Sequence, residues 1–310
     1  MKLRPMTPAD RPAVIDLLQR SMGETSTQKS ETYWRWKHED NPFGPSPVLL
    51  AEADDRLVGV RAFMRWTWSR GEEAYRALRA VDTATDPDYR GRGIFKRLTL
   101  QLVEDCKGEG DDFIFNTPNE KSAPGYLKMG WRELGRLPVS LRPTRPVQLA
   151  LSLAGLTSSA VPAPAPETST ADLELYATIA HKQHGWHTPR SRDFLDWRYA
   201  RCPVVDYAAA GVEGRYLVIY YYKEQRWGLE LRVVDRITAA GSERECERAI
   251  VRLARSAKAS LISEAPRSGG RSWATVTLAR GPLLTFRPLN YDRPPDVEDW
   301  SYNLGDMELF

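Results

Sequence analysis

The chain has 310 residues, with 44 Lys and Arg against 41 Asp and Glu, so bulk charge does not draw it to nucleic acid. That length sets two domains of ordinary size as the starting expectation. Its three cysteines, at 106, 202 and 246, form no CxxC pair, which excludes a disulfide scaffold and a zinc ribbon and fits a reducing compartment.

The opening Met1-Lys2-Leu3-Arg4-Pro5 lacks the apolar core of a signal peptide, and the longest mostly apolar stretch, residues 147–156, is too short to span a bilayer. A soluble, cytoplasmic chain is expected. Leu3 starts a short strand, then Thr7-Pro8-Ala9-Asp10 reads as a helix cap with Pro at the first helical position. Val14, Leu17, Leu18 and Met22 recur behind it at helical spacing. A second helix holds Tyr33-Trp34-Arg35-Trp36-Lys37 and stops before the turn Asn41-Pro42-Phe43-Gly44. Strands are predicted at 48–53, 57–68 and 74–85, joined by turns at Asp54-Asp55 and Ser69-Arg70-Gly71. Next comes Arg90-Gly91-Arg92-Gly93, whose glycines let the backbone turn sharply and approach a ligand closely. The helix that follows, to about Lys107, opens with unpaired N–H groups and a positive dipole end that can cradle phosphate. A strand at 112–116, a short helix at 123–128 and closing strands from Trp131 complete a first unit over residues 1–140.

Residues 141–170 read as a linker, Pro-, Ala-, Ser- and Thr-rich from 157 on, with a short docking helix at 149–156. Over 171–310 the order of elements begins again: helices at 173–184 and 194–200, strands at 206–210, 215–222 and 229–238, a helix at 243–258, a strand at 261–264 and strands from Trp273. Trp36-Lys37-His38 before Pro42 and Trp197-Arg198-Tyr199 before Pro203 share a Trp-basic-aromatic start and the same spacing to proline. The pattern is that of an internal repeat of one α/β unit built on a mixed sheet.

Two motifs of the first unit resemble the GNAT N-acetyltransferase superfamily. Arg90-Gly91-Arg92-Gly93-Ile94-Phe95 resembles its Gln/Arg-x-x-Gly-x-Gly/Ala motif through Gly93 and departs at Phe95, while Tyr126-Leu127-Lys128-Met129-Gly130-Trp131 resembles its Tyr-x-Lys-x-Gly-Phe signature. The second unit shows no such turn, since Ala239-Ala240-Gly241-Ser242 lacks the Arg and the second Gly. The resemblance implies tandem GNAT-like domains, the first binding acyl-CoA and the second degenerate. It implies a pyrophosphate resting on the N–H groups of Arg92, Gly93, Ile94 and Phe95 beside Arg90 and Gly91, and a pantetheine paired with the backbone of Thr83, Ala84 and Thr85. Asn116 and Asn119 fall where the family often places an Asn near the cofactor. Acetyl-CoA, or another acyl-CoA, is the implied co-substrate, and a small-molecule or protein amine the acceptor, with no nucleic acid, no membrane and a monomer or homodimer as the assembly.

Acyl transfer to an amine needs a base for the ammonium, a donor for the thioester carbonyl and an acid for the leaving thiolate. The resemblance gives the acid to Tyr126. The base stays open between Asp82, Asp86, Glu120 and a chain of waters, with Asp82 the first candidate. Cys106 falls inside the cofactor helix, so no covalent intermediate is expected. His181, His184 and His187 lie close together, but Gly185 breaks their helix and no acidic or Cys partner joins them, so no metal site is expected. Trp34, Trp36, Trp66 and Trp68 fit either the wall of an acceptor cleft or a core. The expected activity is N-acylation, most simply N-acetylation, by direct attack; the alternatives are an aminoacyl-tRNA-dependent relative and a catalytically silent acyl-CoA-binding sensor or scaffold.

Overall fold

A computed structural model describes residues 1–22, 27–156, 162–164, 173, 179, 185–267, 275–279 and 281–307. In chain order the first half forms β1 (Lys2–Pro5), α1 (Arg11–Met22), α2 (Glu31–His38), β2 (Val48–Ala53), β3 (Arg56–Arg70) and β4 (Glu73–Thr85). It continues through α3 (Ile94–Gly108), β5 (Phe113–Asn116), α4 (Ala123–Lys128), β6 (Arg132–Arg136), β7 (Val139–Pro143) and α5 (Pro146–Leu153). The second half adds α6 (Arg192–Leu195) with a π turn at Asp196–Ala200, then β8 (Ala208–Val212), β9 (Tyr216–Gln225) and β10 (Gly228–Thr238). Last come α7 (Glu243–Ser256), β11 (Leu261–Glu264), β12 (Val276–Leu278), β13 (Leu283–Pro288) and α8 (Leu304–Met307). Apart from Leu173 and Ile179, the predicted helix at 173–184, with His181 and His184, lies outside the described residues, as does most of 157–170.

The chain is mixed α/β, with two sheets that repeat one another. The first runs β1-β2-β3-β4-β5-β13-β6 and the second β8-β9-β10-β11-β7-β12. In each, one parallel pair interrupts antiparallel neighbours: β4 with β5, crossed over by α3, and β10 with β11, crossed over by α7. The central strand β3 shows why both faces are covered. Val58–Met64 are all buried, because α3 lies on one face and α1 and α2 on the other. Beyond Met64 only one face is covered, and burial alternates through Arg65, Trp66, Thr67 and Trp68.

The sheets do not divide at residues 140 and 171, where the sequence reading places its boundaries. β7, whose last three residues fall in the expected linker, lies in the second sheet between β11 and β12. Conversely, β13 lies in the first sheet between β5 and β6. Each half thus lends the other its last strand, which takes the next-to-last place in the receiving sheet, a reciprocal exchange of the kind seen between swapped protomers. The expected linker also contains α5.

The tryptophans sit where the halves meet. Trp36 and Trp197 stack with ring centroids 5.1 Å apart, and each indole N–H donates to the other's carbonyl at 2.7 Å. Such reciprocity is what a local twofold between two related motifs produces. Trp66 and Trp68 are buried in the same inter-sheet core with Phe115, Phe194 and Trp300. Trp36, Trp66 and Trp68 are therefore core side chains, while Trp34 packs in the core and also lines a recess between α1, α2 and β4.

Candidate active site

The parallel pairing of β4 with β5 covers Ala77, Leu78 and Arg79 against Phe113, Ile114 and Phe115, and stops there. β4 runs on to Thr85 while β5 ends at Asn116, so the strands part and one edge of the later β4 residues faces a split. Thr83, Ala84 and Thr85 pair on their other edge with Arg61, Val60 and Gly59. The register slips between Arg61 and Ala62, leaving Asp82 as the extra residue of a bulge, which bends β4 at the point of divergence.

The Arg90–Gly93 turn follows a short 3-10 turn capped by Asp86, whose carboxylate accepts the N–H of Asp88 at 3.1 Å. Gly91 and Gly93 have φ of 75° and 73°, a conformation costly to any residue with a Cβ. Gly93 caps α3 without a side chain over its first N–H groups, and no acidic residue occupies the first turn. A virtual Cβ on either glycine meets no atom within 4 Å, so the approach is open. Arg92 stacks on Tyr89, its guanidinium 4.6 Å from the ring centre, and Arg90 donates to the Ser21 carbonyl at 2.9 Å. Both cations stay beside the turn. The Phe95 ring turns inward onto Tyr126, centroids 5.8 Å apart, and leaves the backbone donors of Ile94 and Phe95 uncovered.

Tyr126 is buried on the α3 side of the sheet, packed against Trp131 at 5.1 Å. Gly130, at φ 91°, ends α4, and the Trp131 N–H returns to the Tyr126 carbonyl at 3.2 Å, so the local sequence fixes the ring. Its hydroxyl has no hydrogen-bond partner among the described residues. Arg61 reaches under β4 toward it, with the guanidinium carbon 5.3 Å from the ring centre.

Asp82 faces the other side, into a small recess lined by α1, α2 and β4. Lys37 Nζ lies 2.7 Å and His38 Nε2 2.9 Å from Oδ2, with Lys29 Nζ 3.6 Å from Oδ1. Burial alone would raise this carboxyl, but Lys37, His38 and Lys29 outweigh it and hold it well below the usual carboxylate range. His38 in turn is lowered by burial, against the pull of Asp82. Through these contacts Asp82 anchors α2 to the bulge, and a carboxylate held low takes up a proton poorly. The second half has the same anchor. Tyr199, two residues after Trp197 as His38 is two after Trp36, donates to Asp235 at 2.8 Å, beside the bulge of β10.

The other candidates are also accounted for. Asp86 is tied to Arg20 at 2.9 Å, which lowers it, and Glu120 is exposed. Asn116 is buried at the end of β5 with Oδ1 on the Thr117 N–H at 2.8 Å. Asn119 Oδ1 accepts the Ser122 N–H at 2.9 Å at the start of α4. His187 is buried and bridges to Ser69 through backbone bonds, and no cluster able to hold a metal ion occurs among the described residues. Cys106 is buried, and burial pushes its thiol far up. Arg61 and Lys29 went unnoticed in the sequence, and His38 was seen only as part of a repeat motif, although an Arg inside the apolar run Val58–Met64 was a visible signal for the first.

A splayed parallel pair, a glycine turn opening a helix and a tyrosine thus lie on one face of the first sheet. Residues 2–134 match the family profile of an acetyltransferase (GNAT) domain. Glucosamine 6-phosphate N-acetyltransferase from Trypanosoma brucei brucei is 33% identical over 86 residues, 27% of this chain and only 57% of that protein. A probable N-acyltransferase of unknown function from Enterococcus faecalis V583 superposes with a TM-score of 0.68 at 13% identity, over 93% of this chain and 73% of its own. A GCN5-related N-acetyltransferase from Anabaena variabilis ATCC 29413 gives 0.65 at 15% identity, over the same shares. At such identities the likeness concerns the fold.

Proposed function

We propose that this chain is an N-acyltransferase, most simply an N-acetyltransferase, which moves an acyl group from acyl-CoA to a primary amine by direct attack. One observation carries the reading: the split, the uncapped start of α3 and the Tyr126 side chain lie together on the first sheet. The pyrophosphate would rest on the N–H groups of Arg92 to Phe95 and the pantetheine along the open edge of Thr83–Thr85. The amine nitrogen attacks the thioester carbonyl, the C–N bond forms, and the C–S bond breaks. The departing thiolate takes its proton from the Tyr126 hydroxyl, while the ammonium proton passes to water, since Asp82 and Asp86 are committed to cations. The acceptor is open within the amines, and the amino sugar phosphate named for the trypanosomal relative comes first in a panel.

The test is acetyl-CoA titration followed by thiol release over that panel. One bound acetyl-CoA per chain and amine-dependent release are expected. Tight binding without acceptor-dependent release would leave an acyl-CoA-binding scaffold instead. A Gly93→Glu variant with unweakened CoA binding would remove the loop assignment.

A further inference from the structure

Arg61 is fully buried, yet among the described residues no carboxylate pairs with it. Its Nη1 donates to the Val81 carbonyl at 3.3 Å, beside the bulge that opens the split. Phe63, Tyr126 and Phe95 surround the rest, with the guanidinium carbon 4.7, 5.3 and 5.7 Å from their ring centres. Nε and Nη2 have no hydrogen-bond partner among the described residues. These two nitrogens form one edge of the planar group, and their parallel N–H bonds match the two oxygens of a carboxylate. The buried Arg190, by contrast, has carboxylates beside it: its Nε lies 2.7 Å from Asp235 and its Nη2 donates to Asp306 at 2.8 Å.

A guanidinium stays charged at any relevant pH, so a neutral carbonyl would satisfy its donors without answering its charge. Its position ties that need to the donor substrate. Arg61 lies on the α3 and α4 side of the sheet, against the face of Tyr126, next to which the thioester sulfur sits in the acyl-CoA reading. We propose that the Nε–Nη2 edge of Arg61 binds a carboxylate on the acyl group, so that the preferred donor is the CoA thioester of a short dicarboxylic acid. The proposal rests on the acyl-CoA reading and sharpens it. The bonds made and broken are unchanged: nitrogen takes the acyl carbon, sulfur leaves and is protonated by Tyr126, and the amide product keeps the free distal carboxylate.

Succinyl-CoA and butyryl-CoA, similar in length and different in charge, decide the matter with malonyl-CoA and acetyl-CoA beside them. Each is titrated by calorimetry and assayed for amine-dependent thiol release. The expected outcome is a kcat/KM preference for the diacid thioesters on the order of 10²-fold or more, as a site built around a polar group rejects analogues lacking its partner. Arg61→Met is expected to abolish the preference and Arg61→Lys to restore part of it. If Arg61→Met does not fold, the wild-type ratio of succinyl- to butyryl-CoA alone decides. Equal use of these two by the wild type overturns the role of Arg61 and leaves the acyl-CoA reading standing. Failure of all four thioesters to bind overturns both.

Discussion

Two splits run through this molecule, and ion pairs fill only one of them. β10 and β11 part beyond Arg232 and Ser263 as β4 and β5 part beyond Arg79 and Phe115. In the second split Arg236 of β10 reaches Glu264 at the end of β11 at 3.5 Å and Glu247 of α7 at 2.9 Å. Arg267 donates to the Arg236 carbonyl at 2.9 Å, taking a backbone acceptor that an added strand-like ligand would need. The helix starts differ in the same sense. α3 begins bare, whereas α7 carries Glu243 and Glu245 in its first turn, and Glu243 accepts the Gly241 N–H at 3.1 Å. A carboxylate already sits where an anion would bind. One topology thus appears in an open and a sealed form.

The largest expected effect separates these forms by chemistry. Tyr126→Phe should cut amine-dependent thiol release by about 10²–10⁴-fold with acetyl-CoA binding little changed. Glu264→Gln should leave turnover and the binding stoichiometry as they are; a second CoA site in that variant would break the comparison. Next comes the seam between the halves. Trp36→Ala and Trp197→Ala should each cost about 3–5 kcal/mol in denaturant unfolding. Because the two side chains share their bonds, the double variant should lose less than the sum, by about 0.5–3 kcal/mol.

The anchors come third. Asp82→Asn and Asp235→Asn should both destabilise, by about 3 kcal/mol or more, because each leaves buried cations without their carboxylate. The folded Asp82→Asn enzyme should keep kcat within severalfold; a 10²-fold loss at unchanged stability would return the base to Asp82. Gly93→Ala and Gly241→Ala both force a Cβ into positive φ, at about 1–2 kcal/mol. Only the first should weaken CoA binding.

The smallest effect is one of pH. His38 is lowered by burial, so the unfolded chain binds the extra proton more readily than the folded one. Stability is then full above the unfolded value of about 6.5 and is lost as pH falls toward the folded value. His38→Gln should flatten that slope. Tyr199, its counterpart, is pushed well above its usual value by burial and Asp235, and contributes no slope there. A mild-acid loss of stability that survives His38→Gln would place the titrating group elsewhere.

The parts legible in sequence were those whose chemistry is local. Positive-φ glycines at 91, 93 and 130 and the Tyr126 signature act through neighbouring residues, and the structure keeps each in place. The Trp36 and Trp197 motifs were likewise visible, and their reciprocal bonds explain the shared spacing. The ion pairs of Asp82 were not legible, because a residue's place on a strand says nothing of the lysines and histidine that other segments bring to it. The strand exchange was hidden for a related reason. β7 and β13 are short strands that either sheet could accommodate, and only packing of the whole chain selects the partner. The boundary at 140 came from composition, which does not register that choice.

That exchange also governs how the protein comes into being. Thr285 pairs with Asn116 across most of the chain, so the first sheet holds a gap between β5 and β6 until β13 has been synthesised. A growing chain on the ribosome would carry α3 and the glycine turn long before the strand that braces β5 arrives. Loops this long make closure slow, and the unpaired edges of β5 and β6 are exposed meanwhile. The first half, although it carries the candidate chemistry, is thus not a separable module: excised at residue 140, it would lack β13, and its candidate active site would adjoin a raw sheet edge.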